Sequence, residues 1–146
     1  MSHLELVEAF YTALRDGDVG TFLVIQTDDV VYNISGHSPI SGCFKGKHRL
    51  VNDLLPMIFP KLDMTRFGFS KRWKVVCSNE ASVVCLMEAD GFASNGERYD
   101  QRYVHIFEFS AGKIAKVAEF FDTELAQKAL FSDVKQPLVP DDAFQL

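Results

Sequence analysis

Leu4, Val7, Tyr11 and Leu14 recur at helical spacing, and Leu6, Phe10 and Ala13 widen the apolar stripe. Ser2 stands at an N-cap position and Glu5 completes a capping box, so the spacing predicts a helix that Gly17 ends. Asp18 can cap a short second helix running to about Ile25. After Asp28-Asp29 the pattern changes to Val30-Val31-Tyr32-Asn33-Ile34, whose β-branched and aromatic content predicts a strand. Ser35 to Gly46, with three glycines and Pro39, reads as a loop. A third helix is predicted from about Lys47 to Ile58, bounded by Pro60 and kinked or shortened by Pro56.

The second half of the chain has a different period. Arg66 to Cys77, Ala81 to Phe92, Arg98 to Phe109 and Lys113 to Phe121 read as four strands. Ser78-Asn79-Glu80, Ser94-Asn95-Gly96 and Ser110-Ala111-Gly112 separate them, which predicts successive antiparallel hairpins. A last helix runs from about Thr123 to Phe131, and a proline-containing tail follows. Helices followed by strands imply an α+β fold with helices on one face of a curved antiparallel sheet. Val75, Val83, Cys85, Val104 and Ile106 put apolar side chains on both strand faces. Helices cover only one face, so a homodimer is expected to cover the other.

Length and composition narrow the function. At 146 residues the chain suits one domain, with a core over about 3–131 and a tail over 132–146. A net charge of −5 without a Lys/Arg-rich run argues against nucleic acid or an anionic membrane as partner. The opening Met-Ser-His-Leu-Glu-Leu carries an acid where a signal peptide needs positive charge, so a cytoplasmic location is expected. Cys43, Cys77 and Cys85 lack C-x-x-C spacing, and no two histidines are spaced as a local ligand pair. Neither a metal nor a nucleotide cofactor is therefore expected. Thirteen Phe, four Tyr and one Trp call for a large aromatic core, an apolar cavity or an apolar interface.

Two stretches carry a family resemblance: Phe10-Tyr11-x-Ala13-Leu14-x-x-Gly17-Asp18, and Tyr99 through Leu130 with Gly112-Lys113-Ile114 and Phe120-Phe121-Asp122-Thr123. Together with the order of elements they resemble the nuclear transport factor two-like superfamily, which includes ketosteroid isomerase and SnoaL-like polyketide cyclases. The resemblance implies a cone-shaped, cystatin-like fold: a curved antiparallel sheet with N-terminal helices packed on its concave face. Against ketosteroid isomerase, the tyrosine position here is Phe10, the base position is Asn33, and the second acid falls near Tyr103 or Val104. Phenylalanine cannot donate a hydrogen bond and asparagine cannot shuttle a proton, so that steroid chemistry is not expected. Against limonene epoxide hydrolase, Asp90 and Asp122 match the two aspartates, Tyr32 and Asn33 lie near the helper positions, and Glu88 replaces the arginine. That relay is broken as well.

The remaining candidates come from individual residues. Glu88 interrupts the apolar run Val83 to Met87. Such a carboxylate is either buried with a raised pKa, fit for acid–base work, or held by an arginine such as Arg98 or Arg102. Asp122 precedes Thr123-Glu124-Leu125 and either caps the last helix or faces a cavity. Tyr99, Gln101, Tyr103, His105 and Phe107 alternate onto one strand face, which the resemblance makes the cavity face. By the same alternation Ala118, Phe120 and Asp122 share a side of the last strand. The expected site has Glu88, Asp122 and His105 as catalytic residues. Phe10, Tyr32, Asn33, His37, Gln101, Tyr103 and Phe120 are expected to contact the ligand. The function implied is a cofactor-independent isomerase, cyclase or lyase acting on a small hydrophobic molecule. The alternative is a non-catalytic ligand-binding or dimeric interaction domain, and an epoxide hydrolase is less favoured.

Overall fold

A computed structural model describes residues 1–146. Helix α1 (His3–Asp16) starts at a formed capping box: the Ser2 hydroxyl accepts the Glu5 N–H at 3.2 Å and the Glu5 carboxylate accepts the Ser2 N–H at 2.6 Å. Gly17 ends it in the left-handed region at φ 69°, where a side chain would be strained. Asp18 then caps α2 (Val19–Val24) by accepting the Thr21 N–H at 3.0 Å. Strand β1 spans Gln26–Ile34.

One expectation needs correction in the next segment. The stretch read as a loop contains strand β2 (Gly42–Lys45), whose Phe44 shares the core face with Tyr32 and whose buried Cys43 shares the opposite face with Asn33. The third helix is present but broken into α3 (Lys47–Arg49), a π turn over Leu50–Leu54, α4 (Leu55–Ile58) and a 3₁₀ turn over Phe59–Lys61. Pro56 and Pro60 have no N–H to bond backward, and the wider and tighter turns accommodate them.

Strands β3 (Leu62–Ser78), β4 (Ser82–Ala93), β5 (Arg102–Ser110) and β6 (Lys113–Phe121) form the expected antiparallel meander, and α5 (Thr123–Ala129) follows. The sheet is open and curved, in the order β2-β1-β6-β5-β4-β3, with β1 and β6 its only parallel neighbours. Cross-strand partners share a face. His105 pairs with Cys85 and Glu119, and Phe107 pairs with Val83 and Val117, so these side chains line the concave side beneath α1. Phe10 of α1 meets Phe107 edge-on at 5.0 Å, and Tyr11 stacks on Trp73 at 5.0 Å. Val84, Leu86, Val104, Ile106 and Phe120 occupy the alternate rows and face outward.

The tail returns to the sheet edge. Cys43 exchanges backbone hydrogen bonds with Asp142, and Lys45 pairs with the Asp142 carboxylate at 2.6 Å. A free strand edge is thereby covered. No helix is long and apolar enough to cross a membrane.

Candidate active site

An apolar cavity of about 70 Å³ lies between the concave sheet face, α1, α2, α5 and the broken segment 47–61. Eighteen of its twenty lining residues are hydrophobic. The other two are His105 and Glu119, so polar chemistry in this chamber is concentrated at one place.

His105 is buried on β5, with a relative exposure of 1%. Its Nδ1 lies 2.8 Å from the Tyr11 hydroxyl and its Nε2 lies 2.8 Å from Glu119 Oε1. Burial pushes the Tyr11 phenol well above its ordinary pKa, so its hydroxyl keeps its proton and is a donor. A neutral His105 then accepts at Nδ1 and carries its proton on Nε2, which it donates to the Glu119 carboxylate. The result is a line from Tyr11 through His105 to Glu119. The second Glu119 oxygen takes no hydrogen bond from the protein, and the side chain keeps 18% exposure.

Three phenols face the same chamber. Tyr32 donates to Gln26 Oε1 at 2.7 Å, and its proton is therefore committed. Tyr99 and Tyr103 lie with their hydroxyls 2.9 Å apart, and Gln101 Nε2 donates to the Tyr99 oxygen at 3.4 Å. Two phenol protons share a single mutual bond, so one O–H is left to donate elsewhere. Burial pushes Tyr103 up and Tyr99 up to about 12, which keeps both protonated near neutrality. The Glu119 charge adds to the rise at all four tyrosines, a sign of how close they lie to it.

The structure distributes the expected residues unevenly. It brings Phe10, Tyr32, Tyr103 and His105 to the cavity. It does not bring Glu88 there. Glu88 points from the outer face of β4, where Arg72 binds both its oxygens at 2.9 and 3.0 Å and Arg102 lies at 3.5 Å. The arginines hold its carboxyl below the usual range, so the expectation of a raised pKa is overturned. Asp122 is the N-cap of α5, accepting the Leu125 N–H at 3.0 Å, and shares no cavity with Glu88. Gln101 is buried behind the lining and clasps the Asp122 backbone with both ends of its amide.

Asn33 faces outward and clasps the Gln145 backbone, its Nδ2 donating to the carbonyl and its Oδ1 accepting the N–H. Phe120 also faces outward and meets Phe144 of the tail at 5.5 Å. His37 lies on the surface between the loop and the tail, away from the chamber. Asp90 is paired with Arg98 outside the cavity, so an aspartate relay of the epoxide hydrolase kind is not assembled. No three His, Cys, Asp or Glu side chains converge as a metal ligand set.

Sequence reasoning passed over Glu119 and Tyr11. The signal for Glu119 lay in the register of the last hairpin. Ala111 and Gly112 both have positive φ, 51° and 71°, which makes a tight two-residue turn pairing Ser110 with Lys113. Continued without interruption, that register sets His105 opposite Ala118. A bulge after the Phe109–Ile114 pair leaves Ala115 unpaired, moves the register by one residue and sets His105 opposite Glu119.

A curved sheet and N-terminal helices enclosing an apolar chamber with one carboxylate define a cone-shaped α+β protein of the nuclear transport factor two-like class. The model of the SnoaL-like domain matches residues 7–117, and the chain belongs to that family. Among solved structures it is similar to a protein of unknown function with a cystatin-like fold from Xanthomonas campestris. The two are 25% identical with a TM-score of 0.73, over 90% of this chain and 98% of that one. A candidate polyketide cyclase from Pseudomonas putida shares 20% identity with a TM-score of 0.70, over 89% of this chain and 98% of that one. A candidate isomerase from Bacillus subtilis shares 16% identity with a TM-score of 0.70, over 86% and 90% of the two chains. At these last identities the likeness speaks for the fold alone. No functionally curated protein matches the sequence.

Proposed function

We propose that the protein moves a proton on the carbon next to a carbonyl group, the first step of an isomerase or cyclase acting on a small neutral hydrophobic molecule. The observation that carries this reading is Glu119: one oxygen held by His105, the other unbonded, in an otherwise apolar chamber. Glu119 removes the α-proton, the C–H electron pair moves into a C–C double bond, and the carbonyl π pair moves onto oxygen. The uncommitted O–H of the Tyr99–Tyr103 pair donates to that oxygen as its charge develops. In a β,γ-unsaturated ketone, return of the proton from Glu119 to the γ-carbon completes an isomerisation. In a dicarbonyl compound the enolate carbon attacks the second carbonyl, whose π pair moves onto its oxygen, and that oxygen takes the proton back from Glu119 to complete a cyclisation. The candidate cyclase and isomerase of similar fold are in keeping with this chemistry.

The test is α-proton exchange in D₂O, followed by NMR, with cyclohexanone and α-tetralone. The protein is expected to speed exchange above buffer, and Glu119→Gln is expected to lower the rate by about 10²–10⁴-fold while keeping an acceptor for His105. Equal rates for both proteins would reject the reading. The apolar character of the lining favours a second one, a ligand-binding domain without catalysis. Saturable ketone binding with no exchange would select it.

We propose in addition that a second copy of the chain covers the outer sheet face. Leu86 and Phe120 remain 42% and 37% exposed there, beside Val84, Val104 and Ile106. A monomer by light scattering at micromolar concentration would reject the homodimer.

A further inference from the structure

Beyond the cavity wall lies a second apolar depression of about 200 Å³, open to the surface between α1, α2, α4 and the start of β3. Leu14, Phe22, Leu55 and Phe59 line both spaces, so these side chains stand between chamber and groove. Two of them ride on the broken segment 47–61, where the π turn over Leu50–Leu54 has a less regular hydrogen-bond ladder than an α-helix. At the outer end Val19 and Met64 expose 52% and 53% of their surface. Meanwhile the inner chamber alone is far below the roughly 300–1,000 Å³ of a drug-sized ligand site.

We infer that chamber and groove form one binding site for an elongated, uncharged carbonyl compound, whose carbonyl end sits by Glu119 and whose apolar chain passes the Leu14–Phe22–Leu55–Phe59 partition to lie on Val19 and Met64. This inference rests on the proposed role of Glu119 for the placement of the carbonyl end. Charge sets the ligand class. The chamber holds one carboxylate, and the groove's one charged group is Asp18, already engaged by the Thr21 N–H and hydroxyl at 3.0 and 2.6 Å. An anionic group would meet a carboxylate at either end, with no lysine or arginine lining either space. A neutral ketone, aldehyde or ester with an alkyl chain fits, and a fatty acid does not.

Calorimetric titration with straight-chain methyl ketones from butanone to undecanone tests the inference, with decanoate as the charged control. Affinity is expected to rise about fourfold for each methylene taken out of water, and to keep rising past the length that fills the chamber. Decanoate is expected to bind at least tenfold more weakly than undecanone. Val19→Glu adds a carboxylate at the first turn of α2, where the helix tolerates it. It should weaken undecanone about tenfold, the loss shrinking as the chain shortens. Met64→Ala should give a smaller loss of the same form. An affinity that levels off at the shortest ketones, equal binding of decanoate, or chain-length profiles unchanged in both variants would overturn the inference. The exchange assay separates it from the catalytic reading. Rising affinity with no Glu119-dependent exchange supports the groove and rejects the base, whereas exchange with flat affinity does the reverse.

Discussion

Replacing Tyr11 by Phe removes a single hydroxyl from the line Tyr11–His105–Glu119. That hydroxyl lies 2.8 Å from His105 Nδ1, and both residues are buried, with exposures of 0% and 1%. Without it the imidazole nitrogen is left with no donor and little access to water. A buried acceptor stripped of its partner costs about 1–3 kcal/mol. The near-complete burial argues for the middle of that range, about 2 kcal/mol. For a chain of this length each kcal/mol moves Tm by about 2–4 °C, so the expected fall is about 4–8 °C. Urea titration gives the free energy and calorimetry gives Tm. A second readout separates positioning from packing: the ¹⁵N shifts of His105 should show the proton on Nε2 in the native protein and, because Glu119 still accepts it, in Tyr11→Phe as well, with the bare Nδ1 resonance moved downfield on loss of its donor. A loss below about 0.5 kcal/mol, or a native proton found on Nδ1, would refute the proposed order of donors and acceptors.

Two further expectations follow from the placement of the carboxylates. Glu88→Gln should leave ketone exchange at the native rate, because Glu88 is bound to Arg72 on the outer sheet face; a loss of tenfold or more would contradict its exclusion from the site. Stability should decline as the pH falls below about 4. Glu5 bonded to Ser2, Asp18 to Thr21, Asp63 to Thr65 and Arg66, Asp90 to Arg98, and Asp133 to Lys61 all have pKa values held below normal in the folded chain. Their stabilisation is present above the unfolded pKa and lost as pH falls through the folded one. Urea midpoints that rise on acidification would contradict this.

Local chemistry made much of the fold legible. The Ser2–Glu5 capping box, the Gly17 stop, the Asp18 cap and the turn residues between β3, β4, β5 and β6 act within a few positions of one another, so the sequence alone determined those elements and their order. Alternation along β5 likewise placed Tyr103 and His105 on the face that became the cavity, whereas Tyr99 reaches it from the segment ahead of the strand, which starts at Arg102 and not at Arg98 as expected. Strand β2 escaped notice because four residues among glycines have no period, and they pair only once β1 and the returning tail lie beside them. The working acid was decided in three dimensions. Side-chain direction in a strand has period two, so one unpaired residue reverses every position beyond it. The bulge at Ala115 turned Glu119 inward and Phe120 outward, and the pairing of β4 with β3 set Glu88 beside Arg72 on the far face. Sequence named the strands and their faces in outline; the register between strands, a tertiary property, chose which carboxylate meets the cavity.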